Sequence, residues 1–206
     1  EAKKYCAVNV AASAADTHYT TIPKRETWKL DPNAAYVHIC GNETIGGVQY
    51  HWVPDTGAVP LVADMSSELM SRPLEVPKYG LVYAGAQKNI GPSGLTLVIV
   101  RDELIGQPHP QLPSAFDYKT VADNDSMYNT PPTYSIYLAG LVFEWLQQQG
   151  GLAAMGERNR AKAARLYGYI DGSGFYANPI DPPARSWMNV PFTLAEAARA
   201  QPFFAR

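Results

Sequence analysis

Two short apolar runs, Leu81-Val82-Tyr83-Ala84 and Leu95-Thr96-Leu97-Val98-Ile99-Val100, enclose the glycine-rich stretch Gly85-Ala86-Gln87-Lys88-Asn89-Ile90-Gly91-Pro92-Ser93-Gly94. This arrangement constrains the fold more than any other part of the chain. Runs of this length bounded by turn residues read as buried strands. The stretch between them is too rich in glycine for a helix and too short for a linker, so it reads as a loop. Lys88 therefore sits close to a strand end. There an amine can be partly desolvated, which lowers an ammonium pKa, and a neutral amine attacks a carbonyl.

Other strand candidates agree with a layered α/β chain. Ala34 to Cys40 is apolar and opens into the polar loop Gly41-Asn42-Glu43-Thr44, Val48 to Val53 alternates loosely, and Val59 to Asp64 is apolar until its last residue. Such runs suit a sheet covered by helices on both faces. Ligands of such sheets gather beyond the carboxyl ends of the strands, where Thr44 and Asp64 both fall. After Pro131-Pro132, apolar residues recur at helical spacing (Tyr137, Leu138, Leu141, Val142, Trp145, Leu146) until Gly150-Gly151, with Thr133 near the helix start. A second helix is predicted over Leu152 to Ile170, a strand over Trp187 to Phe192 and a helix from Leu194 to Ala200. The change in composition near 150–172 marks the expected domain boundary.

Composition bounds the function class. The chain has 206 residues, 46% hydrophobic and 17% charged, with net charge −2. This is an ordinary globular composition, sufficient for one sizeable core with or without a smaller appendage. The basic residues are dispersed, which argues against a nucleic-acid or membrane surface. Cys6 and Cys40 form no CxxC pair, and the four histidines lack ligand spacing, so neither a disulfide framework nor a metal site is expected and a reducing cytosol fits. The chain begins Glu1-Ala2-Lys3 and ends Phe204-Ala205-Arg206; both ends read as cuts through a longer protein.

Taken alone, Lys88 has three readings. The Gly-Lys-[Ser/Thr] ending of a phosphate loop is absent, which sets that reading aside. A surface turn lysine and a lysine holding pyridoxal phosphate both remain. The latter needs a carboxylate for the pyridine nitrogen and donors for the phosphate. Asp64 suits the first role and equally suits a helix cap before Met65-Ser66-Ser67-Glu68. Asn129-Thr130-Pro131-Pro132-Thr133 offers an amide, hydroxyls and a following helix start that can favour an anion, but taken alone it reads better as a simple helix-initiating turn.

In combination these segments are more specific. Tyr83 to Pro92 and Asn124-Asp125-Ser126-Met127-Tyr128-Asn129-Thr130-Pro131-Pro132-Thr133 resemble the phosphoserine aminotransferase family, in class V of the pyridoxal-phosphate aminotransferases. Asn42-Glu43-Thr44, Ala63 to Ser67 with Ser71-Arg72-Pro73, and Arg185-Ser186-Trp187-Met188-Asn189-Val190 extend the resemblance over most of the chain in the family's order.

The resemblance implies a fold-type I α/β transferase, with a mostly parallel central sheet flanked by helices and the start of a small α+β carboxyl-terminal domain. Residues 1–157 would be a partial large cofactor-binding domain, and 158–206 the connector helix and the beginning of the small domain. Lys88 would form the Schiff base with pyridoxal 5′-phosphate and carry the proton between substrate and cofactor. Gln87 would touch the cofactor phosphate, Asp64 the pyridine nitrogen and Thr44 the ring's oxygen substituent. Asn129 and Thr130 would bind the phosphate of the cofactor held by the other subunit, making a homodimer part of the site. The implied reaction exchanges an amino group between L-glutamate and 3-phosphohydroxypyruvate in serine biosynthesis, with a related step toward pyridoxine, in the cytoplasm. A ring-stacking aromatic, a further phosphate-binding turn and a carboxylate-binding arginine fall outside the chain, so the 206 residues alone are expected to be inactive. The rivals are another class-V aminotransferase and a non-catalytic piece that keeps the fold.

Overall fold

In a computed structural model, residues 2–106 and 108–195 are described. Four strands form the main sheet in the order β1 (Val37–Cys40), β2 (Leu61–Asp64), β3 (Leu81–Gly85) and β4 (Thr96–Val100). β1, β2 and β3 run parallel, and β4 returns antiparallel to β3. Among the described residues three α-helices follow: α1 (Tyr118–Asp123), α2 (Thr133–Gln148) and α3 (Gly151–Gly172). A two-stranded antiparallel ribbon of β5 (Tyr176–Ala177) and β6 (Thr193–Leu194) closes the described chain.

Strand periodicity sorts the sheet into two unlike faces. Ile39, Leu61, Ala63, Val82 and Ala84 point into the core, where they join Met65, Ile90 and Ala139 of α2. The opposite face carries His38, Val62, Asp64 and Tyr83, all half-buried or exposed. Burial on both faces is thus not found among the described residues, and the more open face is the one that bears Asp64.

The predicted elements shift where local chemistry overrides the pattern. Val48 to Val53 forms no strand; it makes only isolated bridges, Asn42 with Gln49 and Val48 with Arg185. Trp187 to Phe192 is a turn and coil segment, because the Ser186 hydroxyl accepts the backbone N–H groups of Met188 at 3.0 Å and Asn189 at 2.9 Å. Such a bond bends the backbone and competes with ladder pairing. Leu194 pairs with Tyr176 in the ribbon rather than opening a helix, and Glu196 to Ala200 lie outside the described residues.

α1 had no sequence counterpart. It is capped by Asp117, whose carboxylate accepts from the Lys119 N–H at 3.0 Å. α2 ends where Gly150 and Gly151 take φ of 94° and 72°, a left-handed conformation that favours glycine. α3 is continuous through residues 157 and 158, where the domain boundary was expected.

Candidate functional site

Three strand ends converge at one edge of the sheet, each with one polar side chain. The loop after β1 carries Thr44, β2 ends on Asp64, and β3 opens into the lysine loop. Lys88 Nζ donates to Thr44 Oγ1 at 2.5 Å across 44 residues of sequence. The structure therefore brings two of the sequence-predicted residues into direct contact.

The lysine loop is held from within. Ala86 and Ile90 are buried on either side of Lys88, so the lysine faces outward between two anchors. The Ala86 N–H donates to the Leu95 carbonyl at 2.9 Å, and the Gly91 N–H donates to Ala86 at 2.7 Å. Asn89 ties the loop to Leu69 O through a 2.7 Å side-chain bond. Lys88 itself is exposed, so this chain by itself does not desolvate the amine as the sequence suggested. Gln87 is also exposed and leans back over Gly85, where an added Cβ would lie 2.7 Å from Gln87 Oε1.

Asp64 is fixed by Ser66. Asp64 Oδ1 accepts the Ser66 N–H at 2.9 Å and its hydroxyl at 2.7 Å. The same hydroxyl accepts the N–H of Gly85 at 3.0 Å. Ser66 thus couples the end of β2 to the start of the lysine loop. The cap reading of Asp64 is realised only as a single turn over Met65–Leu69, so capping that turn and offering a carboxylate at the sheet edge coexist in one side chain.

A buried polar network, not foreseen from the sequence, supports the Thr44 loop. Asn42 is 1% exposed; its amide donates to Ser67 Oγ at 2.8 Å and to Asn189 Oδ1 at 2.7 Å. Ser186 donates back to Asn42 Oδ1. Gln49 donates to Glu68 at 2.7 Å, and Arg72 donates to the same carboxylate oxygen at 3.0 Å. These contacts join residues 42–49, 67–72 and 186–189 into one block, and satisfied networks of this kind rigidify what they hold. The signal was faint: polar residues in glycine- or serine-rich segments read as surface.

Burial and Asp64 together shape the neighbouring groups. Burial pushes the Tyr83 phenol up to about 12, reinforced by the charge of the neighbouring Asp64. Burial, with Asp64 and Glu43 adding to it, raises the Cys40 thiol to about 11. Burial lowers His38, and the Asp64 charge offsets part of that effect.

Asn129 and Thr130 are exposed on the segment before α2. Neither is hydrogen-bonded to Lys88, Thr44, Asp64 or Gln87. Beside them the outward side of α2 exposes Tyr134, Tyr137, Leu141 and Trp145. An apolar groove of about 400 Å³ runs between this side and Gly91-Pro92 of the lysine loop. Among the described residues no helix is long and apolar enough to cross a membrane, and no cluster of His, Cys, Asp or Glu is placed to hold a metal ion.

The donor set fits pyridoxal phosphate: an amine, a hydroxyl and a pinned carboxylate share one sheet edge, matching the aldehyde, ring oxygen and ring nitrogen of that molecule. Comparison with known proteins agrees. The class-V aminotransferase family model matches residues 1–205. The phosphoserine aminotransferase of Azotobacter vinelandii is 60% identical over 205 residues, which is 100% of this chain and 57% of the relative. That of Pseudomonas aeruginosa is 61% identical over 203 residues, covering 98% of this chain and 56% of the relative. Among solved structures, phosphoserine aminotransferase from Bacillus circulans subsp. alkalophilus superposes with a TM-score of 0.95 at 46% identity, covering 99% of this chain and 57% of that one. A phosphoserine aminotransferase from Trichomonas vaginalis, solved with pyridoxal phosphate bound, gives 0.82 at 44% identity, over 85% of this chain and 48% of that one. The chain thus spans a little over half the length of the curated relatives it matches.

Proposed function

The chain belongs to the class-V aminotransferases, and from that membership we propose that it is the cofactor-holding part of a pyridoxal 5′-phosphate-dependent phosphoserine aminotransferase. The complete polypeptide would exchange the amino group between L-glutamate and 3-phosphohydroxypyruvate, giving 2-oxoglutarate and O-phospho-L-serine for serine biosynthesis, and would supply the related step toward pyridoxine. The observation that carries this reading is the Lys88–Thr44 contact at 2.5 Å beside a carboxylate that Ser66 bridges to the same loop.

When bound, the cofactor supplies an aldehyde carbon for amine capture and a ring that withdraws electrons from the substrate Cα. Lys88 would be the amine that holds the cofactor and would carry the proton to and from the substrate Cα. Asp64 would pair with the ring nitrogen, Thr44, which already meets Lys88, would take the ring oxygen, and Gln87, on the exposed side of the loop, would take the phosphate.

Asn129 and Thr130 serve the site of a second copy. Their exposure and their distance from any hydrogen bond to the other site residues support that reading, as does the apolar side of α2 beside the lysine loop. Contiguous exposed apolar surface of this kind marks a docking face. The working form is then a cytoplasmic homodimer. α3 serves as the connector between residues 1–157 and the smaller unit over 158–206.

The test uses the complete polypeptide that carries this sequence, incubated with pyridoxal phosphate. The expected result is a visible absorbance band, with turnover of 3-phosphohydroxypyruvate and glutamate. Lys88→Ala abolishes the band and lowers kcat by about 100-fold to 10,000-fold, the range for losing a positioned acid–base group. A coloured protein that turns over other keto acids but not 3-phosphohydroxypyruvate overturns the substrate assignment.

A further inference from the structure

A single turn touches both Asp64 and the lysine loop. It follows directly on Asp64, runs over residues 65–70, and is closed by the N–H groups of Glu68 and Leu69, which donate to the Met65 carbonyl at 3.0 Å and 2.8 Å. Two bonds join it to the loop. Ser66 Oγ accepts the Gly85 N–H at 3.0 Å where the loop starts. The Asn89 side-chain amide donates to the Leu69 carbonyl at 2.7 Å, one residue from Lys88. Leu69 is buried and Asn89 half-buried, so the second bond is partly shielded from water.

The turn carries a strained residue beside that bond. Met70 has φ of 70°, in the left-handed region that residues other than glycine seldom adopt. This angle, together with ψ of Leu69, sets the plane of the peptide between them and hence the direction of the Leu69 carbonyl. Strain of this kind persists only where the surroundings over-determine it. Here they do so on both sides of Met70. Asn89 takes the Leu69 carbonyl, and the side-chain amide of the buried Asn159, from α3, takes the Ser71 carbonyl at 2.9 Å. The Met70 side chain packs against the core.

We propose that Asn89 is a positioning residue for Lys88, and that the left-handed Met70 is retained because it presents the Leu69 carbonyl to Asn89. The turn then works as a spacer between carboxylate and amine. Ser66 ties Asp64 to the start of the loop, and Asn89 ties the stretch beside Lys88 to the far end of the turn. Lys88 is exposed and its four-carbon stem is flexible, so its reach to Thr44 Oγ1 at 2.5 Å depends on where the loop backbone is held. The inference rests on the function proposed above. The same bond also steadies the turn, so the measurements that separate the two roles are those of cofactor capture.

The experiment uses the complete polypeptide and pyridoxal phosphate alone as the first probe. Asn89→Leu keeps the size of the side chain and removes the donor. The expected result is a cofactor Kd raised about tenfold, with a slower rise and a displaced pH midpoint of the visible band. With glutamate as donor, kcat falls about tenfold while KM stays within about twofold. Asn89→Gln, which keeps an amide donor, returns these readouts toward wild type. Met70→Gly, free to take the same φ, keeps Kd within about twofold, whereas Met70→Val, whose branched side chain disfavours that φ, raises it as Asn89→Leu does. Thermal unfolding of the cofactor-free variants serves as the check on folding, and Asn89→Ser, too short to reach Leu69, carries the test should Asn89→Leu unfold. A lowered unfolding midpoint with wild-type Kd, band titration and kcat in Asn89→Leu or Asn89→Ser overturns the proposal, as does the same Kd in Met70→Val and Met70→Gly. A wild-type protein that takes up no cofactor overturns the proposed function itself, and this inference with it.

Discussion

The Asn42 side-chain amide reaches the side chain of Asn189, 147 residues later, at 2.7 Å. That bond ties the loop after β1 to the segment beyond α3. It explains why Thr44, two residues from Asn42, is held firmly enough to meet Lys88. Asn42→Ala leaves Ser67, Ser186 and Asn189 without a shared partner in a buried site. The expected loss of stability is about 2–4 kcal/mol, read from urea unfolding. A change below about 0.5 kcal/mol would contradict the buried-network assignment.

Ser66 tests the coupling between Asp64 and the lysine loop. Ser66→Ala removes the hydroxyl that donates to Asp64 at 2.7 Å and accepts the Gly85 N–H at 3.0 Å. The complete protein is expected to bind pyridoxal phosphate about tenfold more weakly, equivalent to about 1.4 kcal/mol. Titration of the visible band against cofactor concentration measures this directly, and an unchanged Kd would remove Ser66 from the site.

Gly41 is a close-approach glycine. A Cβ there would stand 2.1 Å from Glu68 Oε1. Glu68 has little freedom to withdraw, because Gln49 and Arg72 hold its other oxygen. Gly41→Ala is expected to destabilise the chain by about 1–3 kcal/mol through overpacking. Thermal unfolding of variant and wild type decides it, with an unshifted midpoint counting against a rigid Glu68.

Acid is expected to weaken the fold through His51 and His38. His51 Nε2 donates to the Arg185 carbonyl at 2.8 Å, so Nδ1 is the acceptor, and it lies buried without a hydrogen-bond partner among the described residues. Burial lowers the pKa of both histidines in the folded state. As pH falls through about 6.5, the unfolded chain takes up protons that the folded chain resists, so stability drops. The urea midpoint is expected to be lower at about pH 5.5 than at about pH 7.5. The difference should shrink in His51→Gln. Equal midpoints at the two pH values would refute the assignment.

The lysine loop and its flanking strands were legible because short apolar runs with glycine and proline between them leave few alternatives. Asp64 was legible in the same way, as a carboxylate closing an apolar strand. The antiparallel return of β4 was not read, although the ten residues between the two strands fall short of the dozen or more that a parallel crossover needs. Gln49 and Glu68 were passed over because a single sequence marks such residues as surface; their burial follows from partners 19 residues apart that only the fold unites. Trp187 to Phe192 has the apolar content of a strand, yet one hydroxyl, Ser186, turns it aside. The shape of α2 was foreseen, but of the apolar positions singled out on it only Leu146 is buried, because helical spacing shows that a face exists and not what covers it.

The pairing of β3 with β4 has a mechanical consequence. Both ends of the lysine loop are hydrogen-bonded into one hairpin, with Gly85 opposite Thr96. The span between Lys88 and Asp64 then cannot be adjusted smoothly. Sliding β3 by one residue moves the loop by about 3.3 Å and turns every side chain of the strand to the other face. The geometry between amine and carboxylate is therefore stepped rather than continuous. A deletion inside β3 would discard the site in one event, while changes in length beyond Gly91 would be absorbed by the far arm of the loop.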